Sequence, residues 1–245
     1  MTAAAEPLPA RSVLLSVLLG SHPPRLPVRT LVRTAELFGI SDGTARVALS
    51  RLTADGEVVA EDGTYGLSER HLDRQRDQDA ALRPRTKPWR GGWVLGVVVG
   101  DPEARLPAAA PDARREMERR RMAEVRPGVW TRPDNLVTPP PPAGPVQWWT
   151  ARPAAGGSPP ATLARRLWDL AGWSERAEEL TAALESAAAP ADRLAVAAAM
   201  VRHIRSDPVL PPALLPAGWP GRSLRRAYDG YRTELSALIA ARRAG

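Results

Sequence analysis

Cysteine is absent from all 245 residues, which excludes disulfide bonds, thiolate zinc sites and cysteine nucleophiles. Phenylalanine occurs once, and all but one of the 34 basic residues are arginine, the exception being Lys87. The net charge of +7 attracts phosphate backbones without regard to sequence, but it attracts acidic proteins and anionic membranes as well. The charge therefore indicates a partner only where its position along the chain is known.

Long apolar runs are also absent. Near the start, the longest is Ser12–Gly20, which follows Arg11. It is shorter than the ~18 residues that a membrane-spanning helix needs. No small-residue cleavage pattern follows it, as a signal peptide would require. We therefore expect a cytoplasmic protein with no membrane partner.

Motifs of the common catalytic sites are missing too. The sequence has no Walker loop, no Gly-x-Ser-x-Gly motif and no glycine-rich dinucleotide loop after a strand. Its three histidines, His22, His71 and His203, are far apart and lack the spacing of metal ligands. These absences predict a protein that is not an enzyme, that has no catalytic residues, and that holds neither a metal nor a cofactor.

The first 82 residues follow the order of a winged helix. Three segments have helical periodicity: Arg11–Leu19, Val28–Phe38 and Ser41–Asp55. Two strand-like segments, Glu57–Ala60 and Thr64–Leu67, then flank Asp62-Gly63, a dipeptide that suits the positive φ angles of a tight hairpin turn. Three helices followed by a two-stranded wing form a variant of the helix-turn-helix. We expect residues 1–82, including a charged linker helix, to form a winged helix-turn-helix domain that binds DNA.

The rest of the chain predicts two further domains, so that the expected fold class is α+β. Trp93–Val99 has the apolar, β-branched character of a buried strand, Pro111–Met122 is a charged helix, and Gly128–Trp130 begins another strand. This β-α-β order predicts a ferredoxin-like middle domain over 83–153, with its remaining strands unassigned. Helical periodicity then dominates and predicts a C-terminal helical domain over 154–245.

The segment Ser41–Asp55 predicts the helix that would meet DNA. Alanine and leucine recur at i, i+3, i+4 and i+7, and this stripe must face the core: Ala45, Ala48, Leu49 and Leu52. The opposite face suits the major groove, where arginine can bond guanine, hydroxyls can bond bases or phosphates, and valine can contact a thymine methyl. The predicted DNA-binding residues are Ser41, Thr44, Arg46, Val47, Ser50 and Arg51, with Arg29 upstream as a phosphate contact.

Other interpretations of this segment remain open. The same periodicity is typical of an amphipathic helix that only packs inside a domain, its arginines being ordinary solvated surface. The tip of the predicted wing is acidic, with Glu57, Glu61 and Asp62, and should not lie flat on phosphate. A protein that binds DNA without sequence preference is a further alternative, which a steep salt dependence would reveal.

Arginines and tryptophans of the middle segment are candidates for a ligand site. Five arginines crowd one predicted helix and could bind the phosphates of a ligand or of DNA, although a solvated helix partly neutralised by Glu116 and Glu118 explains them as well. Trp148-Trp149 could stack on an aromatic group, although packing in a core or interface is the commoner use of tryptophan. The candidate effector-binding residues are Arg115, Arg119, Trp148 and Trp149.

Four separated segments, in order along the chain, resemble the PaaX-like family, which includes repressors of phenylacetate degradation operons. They are Leu37–Ser41 (LFGIS) with Arg46–Leu52 (RVALSRL), Gly91–Val99 (GGWVLGVVV), Arg126–Pro133 (RPGVWTRP) and Leu214–Gly221 (LLPAGWPG). The resemblance implies a winged helix, a ferredoxin-like middle domain similar to the Cas2 fold, and a helical C-terminal domain. It also implies a homodimeric repressor that binds a palindromic double-stranded DNA operator and is released by a small-molecule effector, an aryl-CoA (an acyl-CoA thioester) in the founding case.

The similarity to Cas2 raises an alternative of another class, a metal-dependent nuclease or nucleic-acid processing protein. A nuclease needs clustered carboxylates to hold a metal near the scissile phosphate. Asp101, just after the first strand of the middle domain, is the obvious candidate for such a carboxylate. A lone aspartate in an Asp-Pro turn is usually a turn residue.

Overall fold

The computed structural model describes residues 8–99, 110–137, 146–154 and 156–244, and of residues 110–113, 115, 243 and 244 it describes the backbone only. The helices are α1 (Ala10–Gly20), α2 (Val28–Glu36), α3 (Asp42–Ala54), α4 (Glu69–Leu82), α5 (Ala110–Arg119), α6 (Pro160–Leu167), α7 (Leu170–Ser186), α8 (Pro190–Ser206) and α9 (Gly221–Ala244). The strands are β1 (Arg25–Pro27), β2 (Val58–Glu61), β3 (Thr64–Leu67), β4 (Trp93–Val98), β5 (Ala123–Arg126), β6 (Val129–Pro133) and β7 (Val146–Ala151). Helices and antiparallel sheets together confirm a mixed α and β fold. None of the described helices is both long and apolar enough to cross a bilayer.

By their packing, the described residues form two compact units. Unit 1 comprises the described parts of Met1–Leu82, Arg176–Arg205 and Pro220–Gly245. Unit 2 comprises the described parts of Arg83–Glu175 and Ser206–Trp219. The C-terminal segment 154–245 therefore contributes to both units, with α8 and α9 in the first and α6 in the second. The division of the chain into three domains stays a prediction.

In unit 1, three helices precede a hairpin in the predicted order. The hairpin of β2 and β3 turns at Asp62 and Gly63, whose φ angles are 47° and 71°, so the predicted tight turn is confirmed. β1 pairs with the free side of β3, which gives a three-stranded antiparallel sheet. The sequence pattern does not predict β1, because three residues are too few to show an alternation of period two.

The core of unit 1 holds α3 by one edge only. α1 packs against both α2 and α3. Five leucines of these three helices are at most 1% exposed: Leu14, Leu18, Leu31, Leu49 and Leu52. Burying a side chain of this size stabilises the fold by about 1.5–3 kcal/mol. The position of α3 is therefore determined by its inner edge, and its outer edge takes no part in the core.

In unit 2, a four-stranded antiparallel sheet has the order β5-β6-β4-β7. β6 pairs with both β4 and β5, so these two strands run parallel with β6 between them. The strand, helix and strand predicted from the sequence correspond to β4, α5 and β6, but β5 lies between α5 and β6, so the strand parallel to β4 is β5. The strands β5 and β7 are those that the sequence left unassigned.

Both faces of this sheet are covered. On one face Met117 of α5 packs with the inward-pointing side chains of Val94, Val98 and Trp130. On the other face Trp93 and Leu95 belong to a cluster with α6 and the segment after α8, whose buried members are Ala164, Leu170, Leu210 and Leu214. A strand that is buried on both faces is apolar throughout, which explains the run Trp93–Val99 in the sequence.

Arg132 of β6 is buried in unit 2 and surrounded by oxygen acceptors. It is 3% exposed, and it donates to Asn135 Oδ1 at 2.8 Å, to the Arg120 carbonyl at 3.0 Å and to the Val209 carbonyl at 3.3 Å. Asn135 also donates to the Val209 carbonyl, at 2.9 Å. Val209 has a φ of 50°, in a region that β-branched residues avoid, so these bonds secure an unfavourable turn beside the sheet. Burial, and then the charge of Arg121, lowers the pKa of Arg132 to about 9, so it is a cation at neutral pH.

Candidate nucleic-acid interface

The two edges of α3 differ as the sequence predicts. Its alanine and leucine edge is buried, with Ala45, Leu49 and Leu52 fully so and Ala48 at 9% exposure. The opposite edge is exposed along its whole length: Thr44, Arg46, Val47, Ser50 and Arg51. The predicted amphipathic orientation of α3 is therefore confirmed. The contact of this outer edge with DNA stays a prediction.

The start of α3 is set by Ser41, which is the N-cap residue. The Ser41 hydroxyl accepts a hydrogen bond from the Thr44 backbone N–H at 3.3 Å, and the two side-chain hydroxyls lie 2.9 Å apart. Such a cap satisfies a backbone donor that the first helical turn leaves unpaired. Ser41 therefore has a structural role of its own, and Thr44 is the more available of the two hydroxyls for a ligand.

Asp42 is a residue of this surface that the sequence analysis missed. It follows the N-cap directly, and its carboxylate accepts from Arg46 Nε at 2.5 Å and from a second guanidinium nitrogen at 3.2 Å. This hydrogen bond, and then the charge of Asp42, raises the pKa of Arg46. The spacing i, i+4 is the signal that predicts such a pair on a helix. Arg46 is thus held at the N-terminal end of the outer edge rather than left mobile.

Arg51 differs from Arg46 in having no such partner. It is exposed in the last turn of α3, and no carboxylate of the described residues forms an ion pair with it. Val47 lies between the two arginines on the same edge and is 52% exposed. An apolar side chain flanked by a hydroxyl and two guanidinium groups matches the mixture of donors, acceptors and methyl groups that the major groove displays.

The hairpin beside α3 is less acidic than its sequence suggests. Glu61, at the end of β2, forms an ion pair with Arg25 of β1. Glu57, just before β2, is only 15% exposed and faces inward. Of the three acidic residues of the predicted wing tip, Asp62 alone lies in the turn itself. Arg29 is exposed on α2, where it adds a cation to this side of unit 1.

Glu57 ties the hairpin to two helices. Its carboxylate accepts from His71 Nε2 of α4 at 2.7 Å and from Arg11 of α1 at 3.0 Å. Arg70 of α4 lies 3.2 Å away. These contacts link the start of β2 to the first turns of α1 and α4, and they hold the hairpin in its position beside α3.

Replacing Glu57 by glutamine will remove part of the acid sensitivity of unit 1. The hydrogen bond from His71 lowers the pKa of Glu57 despite partial burial, with Arg11 contributing. A carboxyl group whose folded pKa is depressed contributes stability above its unfolded pKa, and this contribution is lost as the pH falls through the folded pKa. We expect E57Q to be less stable by roughly 1 kcal/mol at pH 7, and to approach the wild type near pH 3.

Urea unfolding at several pH values measures this difference. The matched control is Glu69→Gln on α4, where the carboxylate is 78% exposed and pairs only with Arg76. E69Q should follow the wild type at every pH. If the free energies of unfolding of E57Q and the wild type differed by the same amount down to pH 3, the stabilising role of the Glu57 charge would be contradicted.

The three candidate effector residues whose side chains are described, Arg119, Trp148 and Trp149, do not form one site. Trp148 and Trp149 are consecutive in β7, so they face opposite sides of the sheet. Trp148 packs among the α5 side chains, with the Arg120 guanidinium 5.2 Å from its ring, whereas Trp149 is 49% exposed on the other face. Arg119 is 60% exposed and pairs with Glu116, and the side chain of Arg115 lies outside the described residues. These positions favour packing for Trp148, and the effector role of the four residues stays a prediction.

The nuclease alternative has no support among the described residues. Asp101 lies outside them. Within the ranges that the structure describes, no group of three or more histidine and carboxylate side chains could hold a metal ion. The arrangement that a metal-dependent nuclease needs is therefore not found there.

Comparisons with known proteins found two matching family models and a similar solved structure. A family model described as PaaX-like protein matches residues 9–71, and one described as PaaX-like protein C-terminal domain matches residues 168–242. Among solved structures, the uncharacterized protein Rv0674 from Mycobacterium tuberculosis is 42% identical, with a TM-score of 0.82 over 96% of this chain and 98% of that chain. No curated protein matches the chain. The first family match spans α1, α2, α3 and the hairpin, which are the elements that carry the exposed edge.

Proposed function

Because the chain belongs to the PaaX-like family, whose members are generally transcriptional regulators rather than enzymes, we propose that it is a sequence-specific DNA-binding regulator. It binds as a homodimer, placing α3 of each copy in the major groove of one operator half-site. It acts as a repressor, and a small-molecule effector releases it from the DNA.

The outer edge of α3 is the observation that carries this proposal. A helix held in a core by one edge normally presents a charged, solvated surface on the other. Here the other edge presents Val47 at 52% exposure between Thr44, Ser50 and the unpaired Arg51. An exposed valine can make an apolar contact with a thymine methyl group in the major groove. An arginine in the same row can donate two hydrogen bonds to a guanine.

The architecture of both units supports the proposal. Three helices followed by a hairpin, with a third strand beside it, is the arrangement of a winged helix, in which the last of the three helices reads DNA. In unit 2, the order β5-β6-β4-β7 with β4 and β5 parallel is the split β-α-β arrangement of a ferredoxin-like sheet, which supports the Cas2-like assignment. We therefore assign DNA reading to unit 1.

DNase footprinting on the region upstream of the gene for this chain tests the proposal. With excess unrelated DNA as competitor, we expect two protected half-sites whose centres are about 10 base pairs apart, or a multiple of that spacing. The protected segments should persist as salt is raised toward physiological strength, because contacts with bases contribute affinity beyond the salt-dependent attraction to phosphates. Binding that shows no preferred segment, and that disappears with competitor, would refute sequence-specific regulation.

Replacing Asp42 by asparagine will strengthen DNA binding several-fold. The substitution removes a negative charge from the proposed contact edge and releases Arg46 from its ion pair, while the short side chain still suits the first turn of the helix. Fluorescence anisotropy with operator and with unrelated duplex measures the effect, and we expect both affinities to rise. Asp73→Asn on α4, which removes an exposed carboxylate paired with Arg76, is the matched control and should leave both unchanged.

A weaker affinity of D42N for the operator, with the helix content unchanged, would contradict this view. It would mean that Asp42 orients the Arg46 guanidinium toward a base. In the proposed view, Asp42 instead competes with the DNA phosphates for Arg46. The comparison with unrelated duplex separates the two cases, because orientation matters only for the specific sequence.

A further inference from the structure

A cleft in unit 1 lies between four helices that come from both ends of the chain. It contains about 500 Å³ of empty space, part of which opens to solvent, and α1, α4, α8 and α9 line it. Only about 50 Å³ of this space is accessible to a water-sized group, which is less than the roughly 300–1,000 Å³ of small-molecule sites, so a ligand would have to widen the cleft. The inner wall is apolar, formed by Leu19, Leu194, Ala197, Val201 and Leu235. A ligand that widened the cleft would place its apolar part against this wall.

Tyr231 of α9 places an unsatisfied donor in this apolar wall. The side chain is 7% exposed, and its hydroxyl has no hydrogen-bond partner among the described residues. Burial raises the pKa of Tyr231, so the hydroxyl keeps its proton at neutral pH. A buried hydroxyl without a partner costs roughly 1–3 kcal/mol, which an acceptor atom on a bound ligand would offset.

Arginines at the mouth of the cleft lack carboxylate partners. Arg74 of α4 and Arg202 of α8 both line the cleft, and within the described ranges neither forms an ion pair or a hydrogen bond. Partial burial, and then the charges of Arg205 and Arg202, lowers the pKa of Arg74. Like charges held close together at the rim of an apolar pocket would be relieved by an anion between them.

The third arginine of the cleft is already occupied. Arg232 of α9 lies 3.4 Å from Asp79, which in turn accepts from His22 at 2.9 Å. The Asp79 carboxylate thus balances the charge of Arg232. The unpaired positive charge is therefore confined to the side formed by Arg74 and Arg202.

The walls of the cleft are also the supports of α3. Gln75 of α4 is buried and donates to the backbone carbonyls of Leu19 and Ser21, so α4 holds the C-terminal end of α1. α1 packs directly against α3, and α9 packs against α2. A ligand that separated α1 and α4 from α8 and α9 would therefore shift the helices on which α3 rests.

We propose that this cleft binds a small organic anion, with its apolar body against α1, α8 and α9, an acceptor atom at Tyr231, and its carboxylate or phosphate group at Arg74 and Arg202. Occupation of the cleft changes the position of α3 and so its affinity for DNA. The ligand site stands on the cleft alone, whereas the coupling to DNA rests on the proposed regulatory function. This location differs from the four effector residues of unit 2 that the sequence predicts.

Two fluorescent probes test the ligand site with the full chain. One is 8-anilinonaphthalene-1-sulfonate, an aromatic anion, and the other is the uncharged N-phenyl-1-naphthylamine, which has the same rings. Replacing both Arg74 and Arg202 by glutamine should weaken the anionic probe at least about tenfold and leave the neutral probe unchanged. Ala198→Trp, at a half-buried position of α8 that lines the cleft, should abolish binding of both probes.

Control variants keep the test independent of folding. Tyr231→Phe removes only the hydroxyl, and it should weaken the anionic probe without lowering the unfolding midpoint. Arg176→Gln removes an exposed guanidinium of α7 that pairs with Glu179, and it should bind both probes as the wild type does. The proposed site is wrong if the double glutamine variant binds the anionic probe normally, or if the folded Ala198→Trp variant still binds both probes.

Displacement of the anionic probe identifies the anion group. Benzoate will compete if the natural ligand is a carboxylate, and phenyl phosphate will compete if it is a phosphate ester. Failure of both to compete at millimolar concentration would overturn the anionic part of the proposal.

The coupling is tested by DNA affinity with and without saturating anionic probe. We expect the probe to weaken operator binding several-fold in the wild type and to have no effect on Ala198→Trp. Equal affinity of the wild type in both conditions would refute the coupling. If the chain bound no DNA at all, the regulatory function would fail, and the probe titrations would still decide whether the cleft is a ligand site.

Discussion

Replacing both Arg46 and Arg51 by alanine will weaken binding to the operator at least about thirtyfold, because each arginine can make a bidentate contact with a base. Both side chains are exposed on the outer edge of α3 and contribute nothing to the core, so the fold should persist. Arg51→Ala alone should have the larger single effect. Arg46 must first exchange its bond to Asp42 for a bond to DNA, whereas Arg51 forms no ion pair with any residue that the structure describes.

Gel-shift titrations with operator and with unrelated duplex measure this effect. If the arginines read bases, the loss is confined to the operator; if they hold phosphates, both duplexes lose affinity and the salt slope becomes shallower by about 1 per arginine. Arg176→Ala in α7 is the control, since it removes an exposed, ion-paired arginine that is not on α3. Unchanged operator affinity of the double variant, with a normal circular dichroism spectrum, would exclude α3 as the contact helix.

Replacing Arg132 by alanine will destabilise unit 2 by several kcal/mol, because each buried acceptor that loses its donor costs about 1–3 kcal/mol. The guanidinium donates to the carbonyls of Arg120, Pro133 and Val209 and to Asn135 Oδ1. Without it, the Arg120 carbonyl and Asn135 Oδ1 lose this donor, and the Val209 carbonyl keeps only the bond from Asn135, one of the two that hold its unfavourable backbone angle. Lysine should not rescue the variant, because a single ammonium cannot reach the same set of acceptors.

Urea unfolding followed by tryptophan fluorescence reports on unit 2 directly, because all eight tryptophans lie in its segments. Arg119→Ala is the control, since this arginine is 60% exposed and pairs only with Glu116; its effect should stay within about 0.5 kcal/mol. A normal unfolding midpoint for R132A would show that the acceptors find other partners or solvent, and that Arg132 does not hold the turn at Val209.

Local patterns account for what could be predicted in unit 1. The period of α3 identified its buried edge, since side chains four residues apart lie on one face whatever the rest of the chain does. The dipeptide Asp62-Gly63 identified the turn, because few residue pairs tolerate two positive φ angles in succession. The Asp42–Arg46 pair was within reach of the same reasoning, since it depends only on helical spacing.

The elements that could not be predicted depend on partners distant in the chain. β1 has three residues, too few for a periodic signal, and it exists because β3 pairs with it. β5 is the exception, because its partner β6 follows it directly in the chain and the strand was missed nonetheless. β7 was not recognised, so Trp148 and Trp149 were grouped as one candidate site although a strand points them in opposite directions. Glu57, counted from the sequence as an acidic wing residue, is turned inward by His71 and Arg11.

The amino-acid sequence by itself determined the family, the order of the first three helices and the hairpin in unit 1, and which edge of α3 faces outward, because these features depend on neighbours within a few positions along the chain. Only the tertiary structure decided that α8 and α9 join α1 and α4 around a cleft, that Arg132 is buried among carbonyls, and that α3 rests on helices which line that cleft. Such contacts join residues tens to hundreds of positions apart, and the packing that brings them together leaves no periodic trace in the sequence.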